Sequence, residues 1–259
     1  MSNKLAKRTV QSVKTLIDDH KNELKASMPN QDAFGRFRRT ILYAIASNEK
    51  LSECSPASIF LSSAKIATTD LVIGEQAHLV PYYNNDKKTY EAKPLYDYKG
   101  LIELCYRSGK IKSLYACLVY KNDEFNIQRG TEQRINHNPD PFADRGDLIG
   151  AYAVAKMKSG EVDFEVMSIE ELEKIRATAK TDFIWKKNTG EMYKKTVLKR
   201  LMKRLPRSYE LMEAMEIDNK QAMGERHEIV VKGIEVDDKN DNLQGVQSDN
   251  MKGLEESLS

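Results

Sequence analysis

The chain has 259 residues, 40% apolar and 31% charged, enough to bury a sizeable core as one large domain or two small ones. No apolar run approaches the ~18 residues of a membrane span. The opening stretch, MSNKLAKRTVQSVKTLIDDHKNEL, is an amphipathic helix pattern without the apolar centre of a secretion signal, so a cytoplasmic location is expected and membrane association is not. The net charge of +2 conceals an asymmetry. Residues 216–259 hold eleven acids and five Lys or Arg, a net of −6, which leaves +8 on residues 1–215.

Residues 4–25 carry a first helical stripe through Leu5, Val10, Val13, Leu16 and Ile17, and 31–48 a second through Phe34, Phe37, Ile41 and Ile45. Ser55 and Pro56 suit the N-cap and first position of a third helix running to about Thr69. Strand patterns follow at 77–83 and 88–96, flanking a turn-like NNDKK. Residues 97–110 then read as a helix with Asp97 at its N-cap and Gly109 at its stop. Strands are expected at 113–123 and 124–130, then a polar loop at 136–147. Two more strands are expected to join at Ser159 and Gly160. Ser168 and Glu171 have the spacing of a capping box. Helices, then a mainly antiparallel sheet, then helices make an α+β fold. After about residue 225 the chain becomes polar and acidic, and DDKNDNLQGVQSDNMKG has the composition of a disordered segment.

The last predicted helix carries the strongest signal. Residues 183–207, FIWKKNTGEMYKKTVLKRLMKRLPR, hold nine Lys or Arg and one acid, Glu191. At ~100° per residue, Val197, Leu198, Leu201, Met202 and Leu205 share one sector. Lys195, Lys199, Arg200, Lys203, Arg204 and Arg207 fill the opposite one, with Thr196 among them. Such a helix can dock on a core and present a row of cations. The acids that would form i,i+4 pairs are missing, and Lys194 falls in the apolar sector. A row of fixed cations matches a phosphodiester backbone, and Phe183 and Trp185 can offer faces for bases to stack on. The ordinary alternative is a solvated basic face with the aromatics in the core.

Other chemistry is weakly signalled. There is no GxxxxGK[ST] phosphate loop. Cys54, Cys105 and Cys117 lack CxxC spacing and read as buried free thiols, not a zinc site. His137, Asp140, Asp144 and Asp147 crowd the 136–147 loop. A metal-dependent nuclease of a recombination system is therefore the alternative reading, although the same residues are ordinary turn formers.

Four strings occur together and in order: AHLVPYYNN, LYDYKGLIELCYRSGKIKSLYACLVYKNDEF, RGDLIGAYAVAKMKSGEVDFEVMS and DFIWKKNTGEMYKKTVLKRLMKRLP. Over about residues 55–210 the chain thereby resembles the RecT family of phage and prophage recombination proteins. The resemblance implies binding of single-stranded DNA, annealing of complementary strands without ATP, and assembly into rings or helical filaments. It also implies a partner 5′→3′ exonuclease, and a curved, mainly antiparallel sheet packed with helices that forms a basic groove. Contact with a host single-strand-binding protein and residence in a bacterial cytoplasm go with it. No cofactor is expected to be required, magnesium acting at most as a modulator of DNA binding, and no enzymatic centre is expected.

Annealing requires that cations offset phosphate repulsion while base edges stay free, so contacts should run through backbone and stacking. The expected phosphate contacts are Lys195, Lys199, Arg200, Lys203 and Arg204, with the Thr196 hydroxyl, Lys186 and Lys187 beside them. Lys99, Arg107, Lys110 and Lys112 form a second basic group, and Tyr98, Phe183 and Trp185 are the expected stacking rings. The expected organisation is an N-terminal helical region for oligomerisation (1–50), an α+β annealing core (51–215) and an acidic tail (216–259).

Overall fold

A computed structural model describes residues 2–179, 183–223 and 228–236. They fall into two compact units. The first comprises 2–74, 78–94 and 229–236, the second 75–77, 95–179, 183–223 and 228. The expected boundary at residue 50 thus falls inside the first unit. Ile229, Val231 and Ile234 are buried in a stretch expected to belong to the acidic tail. The DDKNDNLQGVQSDNMKG stretch lies outside the described residues.

In the first unit the expected N-terminal helix is two, α1 (Ser2–Asp19) and α2 (Lys21–Ser27), broken at His20. A 3-10 turn at Gln31–Ala33 leads into α3 (Phe34–Ser47), and α4 (Glu49–Ser52) follows. Helix α5 (Pro56–Ala67) starts as its sequence requires, with the Ser55 hydroxyl accepting from the Ser58 N–H. Val13, Ile17, Ile41, Ile45, Ile59, Phe60 and Ile66 make the core where α1 packs on α3 and α5. Strands β1 (Ala77–Asn84) and β2 (Thr89–Tyr96) form the expected hairpin. Hydrogen bonds tie α5 to β2: Ser62 Oγ donates to the Ala92 carbonyl at 2.8 Å, and the Ala92 N–H donates to Ser58 Oγ at 2.9 Å.

The second unit begins with α6 (Tyr98–Arg107), whose Asp97 cap accepts from the Lys99 N–H. Gly109, at φ 72°, takes the left-handed conformation that ends the helix. Strands β3 (Ile111–Tyr120), β6 (Leu148–Met157) and β7 (Val162–Ser168) form an antiparallel sheet in the order β3-β6-β7. Between β3 and β6 in sequence, β4 (Glu124–Gln128) and β5 (Arg134–Asn138) pair only with each other. His137 therefore stands in a strand, not in the expected loop, because Phe125, Ile127 and Ile135 give this polar segment enough alternation to pair.

Strand alternation divides the central sheet. One face carries Val119, Tyr152, Val154 and Phe164, covered by Phe125 and Ile135 of the β4–β5 hairpin. The other carries Leu118, the small Ala151, Ala153 and Ala155, and Glu165. The capping box is present: Ser168 and Glu171 satisfy each other's backbone N–H at the start of α7 (Ile169–Ala177). The basic segment is two helices, α8 (Phe183–Lys187) and α9 (Thr189–Met202), and α9 packs across all three strands. Its approach is close. A Cβ on Gly190 would come within 2.9 Å of Leu118 Cδ1, so that leucine would have to move for any larger residue. The basic helix is not the last one. Helix α10 (Tyr209–Met223) packs against α6 and buries Leu211, Ala214, Met215, Ile217 and Asp218.

Candidate nucleic-acid interface

The apolar sector of the basic segment lies where its sequence places it, with Val197, Leu198, Leu201 and Met202 of α9 and Leu205 just beyond it all buried. The opposite sector is not the row of free cations expected. Lys195 and Lys199 both reach one carboxylate, Asp218 of α10, at 2.7 and 2.5 Å. Lys195 Nζ also donates to the Tyr96 carbonyl at 3.1 Å. Only 3% of the Asp218 side chain is exposed. Burial pushes its pKa up, but the two ammonium groups more than offset this and hold it below the ordinary carboxylate value. One anion shared by two cations leaves Lys199 short: burial, aided by repulsion from Lys195, lowers its pKa although Asp218 opposes the shift.

The two arginines are paired as well. Arg204 forks onto Asp163, Nη2 to Oδ1 at 3.0 Å, binds Glu165 through Nη1, and donates to the Phe164 carbonyl. Arg200 reaches Glu165 and Glu171, each at 3.2 Å. Acids from β7, α7 and α10 thus supply the partners that the helix's own sequence lacks. Both arginines keep nearly half their side-chain surface, while the two lysines are largely enclosed. The expected placement of Lys195 and Lys199 in solvent is corrected accordingly. Lys194 is pulled out of the apolar sector by Glu191 at 2.8 Å.

The remaining predicted residues scatter. Trp185 is buried, its ring tilted against Tyr193 with centroids 5.9 Å apart, so it presents no open face for a base. Phe183 opens α8, and its side chain lies outside the described ones. The Thr196 hydroxyl donates to the Met192 carbonyl one turn back. Tyr98 is half-buried and hydrogen-bonded to Glu191; burial, with the charges of Glu191 and Asp97, raises its pKa. Arg107 pairs with Glu103 at 3.5 Å. Lys99, Lys110, Lys112, Lys186, Lys187 and Lys203 are exposed.

The carboxylates of the alternative nuclease reading do not converge. Asp140 and Asp144 accept from the N–H groups of Phe142 and Gly146, two residues on, as turn formers do. His137 instead touches Asp123 at 3.0 Å and the Tyr152 hydroxyl at 3.1 Å. Among the described residues no three His, Cys, Asp or Glu are placed to hold a metal ion. Asp123 is itself a structural anchor. It receives two hydrogen bonds from Arg145 at 2.8 Å and one from the Tyr120 N–H at 2.7 Å. The Arg145 guanidinium holds its carboxyl well below the usual range. Cys54 and Cys105 are buried free thiols, pushed by burial up to about 12 and about 11.

Sequence reasoning missed Asp218, Glu165 and α10 itself. A signal was present: Leu211, Ala214, Met215 and Asp218 share a helical face, and an acid on an apolar stripe needs a buried cation.

A cationic helix laid across an antiparallel sheet and braced by acids from neighbouring elements defines an α+β protein. The profile of the RecT family matches residues 35–231, and the chain belongs to that family. It is 31% identical over 210 residues to Protein RecT of Escherichia coli (strain K12), with 78% of each chain covered. Membership brings DNA recombination by binding and annealing of single-stranded DNA. Among the described residues no helix is long and apolar enough to cross a membrane.

Proposed function

We propose that the protein binds single-stranded DNA and anneals complementary strands without ATP, as a homo-oligomeric ring or helical filament, in the bacterial cytoplasm. A 5′→3′ exonuclease exposes the strand it loads on, and a host single-strand-binding protein is a further partner. The N-terminal helices serve self-assembly. No cofactor is required, magnesium only modulates DNA binding, and no residue acts as a catalyst. The observation that carries this reading is that the family match, over 35–231, spans the entire second unit, where the basic helix and the exposed lysines lie. The missing phosphate loop supports independence from ATP.

In this reading DNA lies on the second unit. Its phosphates meet cations that reach solvent, Lys99, Arg107, Lys110, Lys112, Lys186, Lys187 and Lys203, and the exposed parts of Arg200 and Arg204. Lys195, Lys199 and Thr196 act one step back by fixing α9. The test is annealing of two dye-labelled complementary oligonucleotides without nucleotide, in magnesium and EDTA arms. Accelerated annealing in both arms with intact strands is expected. Magnesium-dependent shortening of the strands would replace this reading with a nuclease.

A further inference from the structure

Four lysines gather at one end of the central sheet. Lys110 precedes β3, and Lys158 follows β6. Their backbones join through a hydrogen bond from the Lys158 N–H to the Lys110 carbonyl at 2.8 Å. Between them Ile111 pairs with Met157 and Ser113 with Lys156, so Lys112 is the extra residue of a β-bulge. Bulges re-aim side chains at strand ends, and this one lies where a cation is added to three others. All four lysines are exposed, and none has an ion-pair partner among the described residues. The acids closest in register are engaged: Asp163 holds Arg204, and Glu161 accepts from the Ser159 hydroxyl. Four like charges on and just beyond two adjacent strands, whose backbones run ~4.8 Å apart, repel one another, and among the described residues none of the four is ion-paired.

The sheet face beside them is open. Lys156 and Tyr115 lie on the same face, two residues apart in register, because Ser113 pairs with Lys156 and Tyr115 with Val154. That is about 7 Å along the strand. The β4–β5 hairpin covers the Val119, Tyr152 and Phe164 part of this face. It leaves Tyr115 47% and Val162 41% exposed. The Tyr106 hydroxyl accepts from the Leu114 N–H at 2.9 Å and ties α6 to the start of β3.

We propose that Lys110, Lys112, Lys156 and Lys158 form a phosphate-binding cluster for single-stranded DNA, with Tyr115 as the ring on which a base stacks. This rests on the functional reading above and gives it a place on the sheet, away from the α9 row. An exposed ring accepts a base only when the base is unstacked, so a single strand fits and a duplex does not. Tyr115 and the two β6-side lysines carry no pattern in the linear sequence. Only the β3–β6 register assembles them.

The test uses the full chain and a fluorescein-labelled oligo-dT, with anisotropy titrations at several salt concentrations. Replacing all four lysines by Gln should lower the slope of log K against log[salt] by about 3, from about 0.7 per lost phosphate contact. Tyr115→Ala should weaken binding about tenfold at unchanged slope, and Tyr115→Phe should bind as wild type. Circular dichroism and thermal melts confirm that each variant is folded. Wild-type binding with an unchanged slope in the folded quadruple variant would overturn the cluster, and unchanged affinity in Tyr115→Ala would overturn the stacking ring. Failure of the wild type to bind oligo-dT would instead overturn the functional reading.

Discussion

Helix α9 and the β3–β6 end of the sheet are both basic, and their lysines have opposite fates. On and just after α9, Lys195 and Lys199 turn inward to a carboxylate that is 3% exposed, and Arg200 and Arg204 are held by Asp163, Glu165 and Glu171. At the sheet end, Lys110, Lys112, Lys156 and Lys158 face solvent and make no ion pair among the described residues. The helix is the denser cluster in sequence, yet its charge is largely spent inside the protein. A cation's availability to DNA depends on which acids the fold brings beside it. A buried pair is kept by mutual need, since either partner alone would be an uncompensated charge. A surface lysine carries no such obligation.

Removing the shared anion should have the largest effect. Asp218→Ala strands two largely enclosed ammonium groups and should cost about 3–5 kcal/mol of stability, read by chemical denaturation. A loss near zero would mean that the α9 lysines are as free as those at the sheet end. Glu165→Ala should cost less, about 1–2 kcal/mol, because Arg200 and Arg204 are nearly half exposed and can turn to water or to their remaining acids. Neutralising any single lysine of the sheet end should change stability by no more than about 0.5 kcal/mol, with its effect confined to DNA binding.

Acid sharpens the contrast further. Asp218, Asp123 and Glu171 all have folded-state pKa values below their ordinary ones. The stability they contribute is therefore present above about pH 4, the unfolded carboxylate range, and lost as pH falls through the folded values. Melting temperature should decline steadily below about pH 4. Asp218→Ala should show a shallower decline, whereas the four-lysine variant should follow the wild-type curve.

Local signals in the sequence were largely legible. The Ser55 and Asp97 caps, the Ser168–Glu171 box and the apolar sector of α9 all stand where their spacing requires. Each depends on residues within one or two turns, so backbone geometry alone decides it. The strings that resemble the RecT family likewise lie within single elements or adjacent ones. Helix α10 was missed because the expected acidic tail, beginning at residue 216, cut through it and counted Asp218 among the tail's acids, although Leu211, Ala214 and Met215 share its face. The strand at Arg134–Asn138 was missed because a polar hairpin is stabilised by the face it covers.

Composition, caps and periodicity thus determined an α+β chain with a basic body and a helix that buries one face. They could not decide which cations remain available. That depends on Asp218 arriving from α10 and Glu165 from β7, 23 residues after Lys195 and 39 before Arg204. Nor could they bring Lys110 beside Lys158, which needs the β3–β6 register. The reason is physical: a charge's energy is set by what lies within a few ångströms in space, and chain separation says nothing of that until the sheet is paired and the helices are packed.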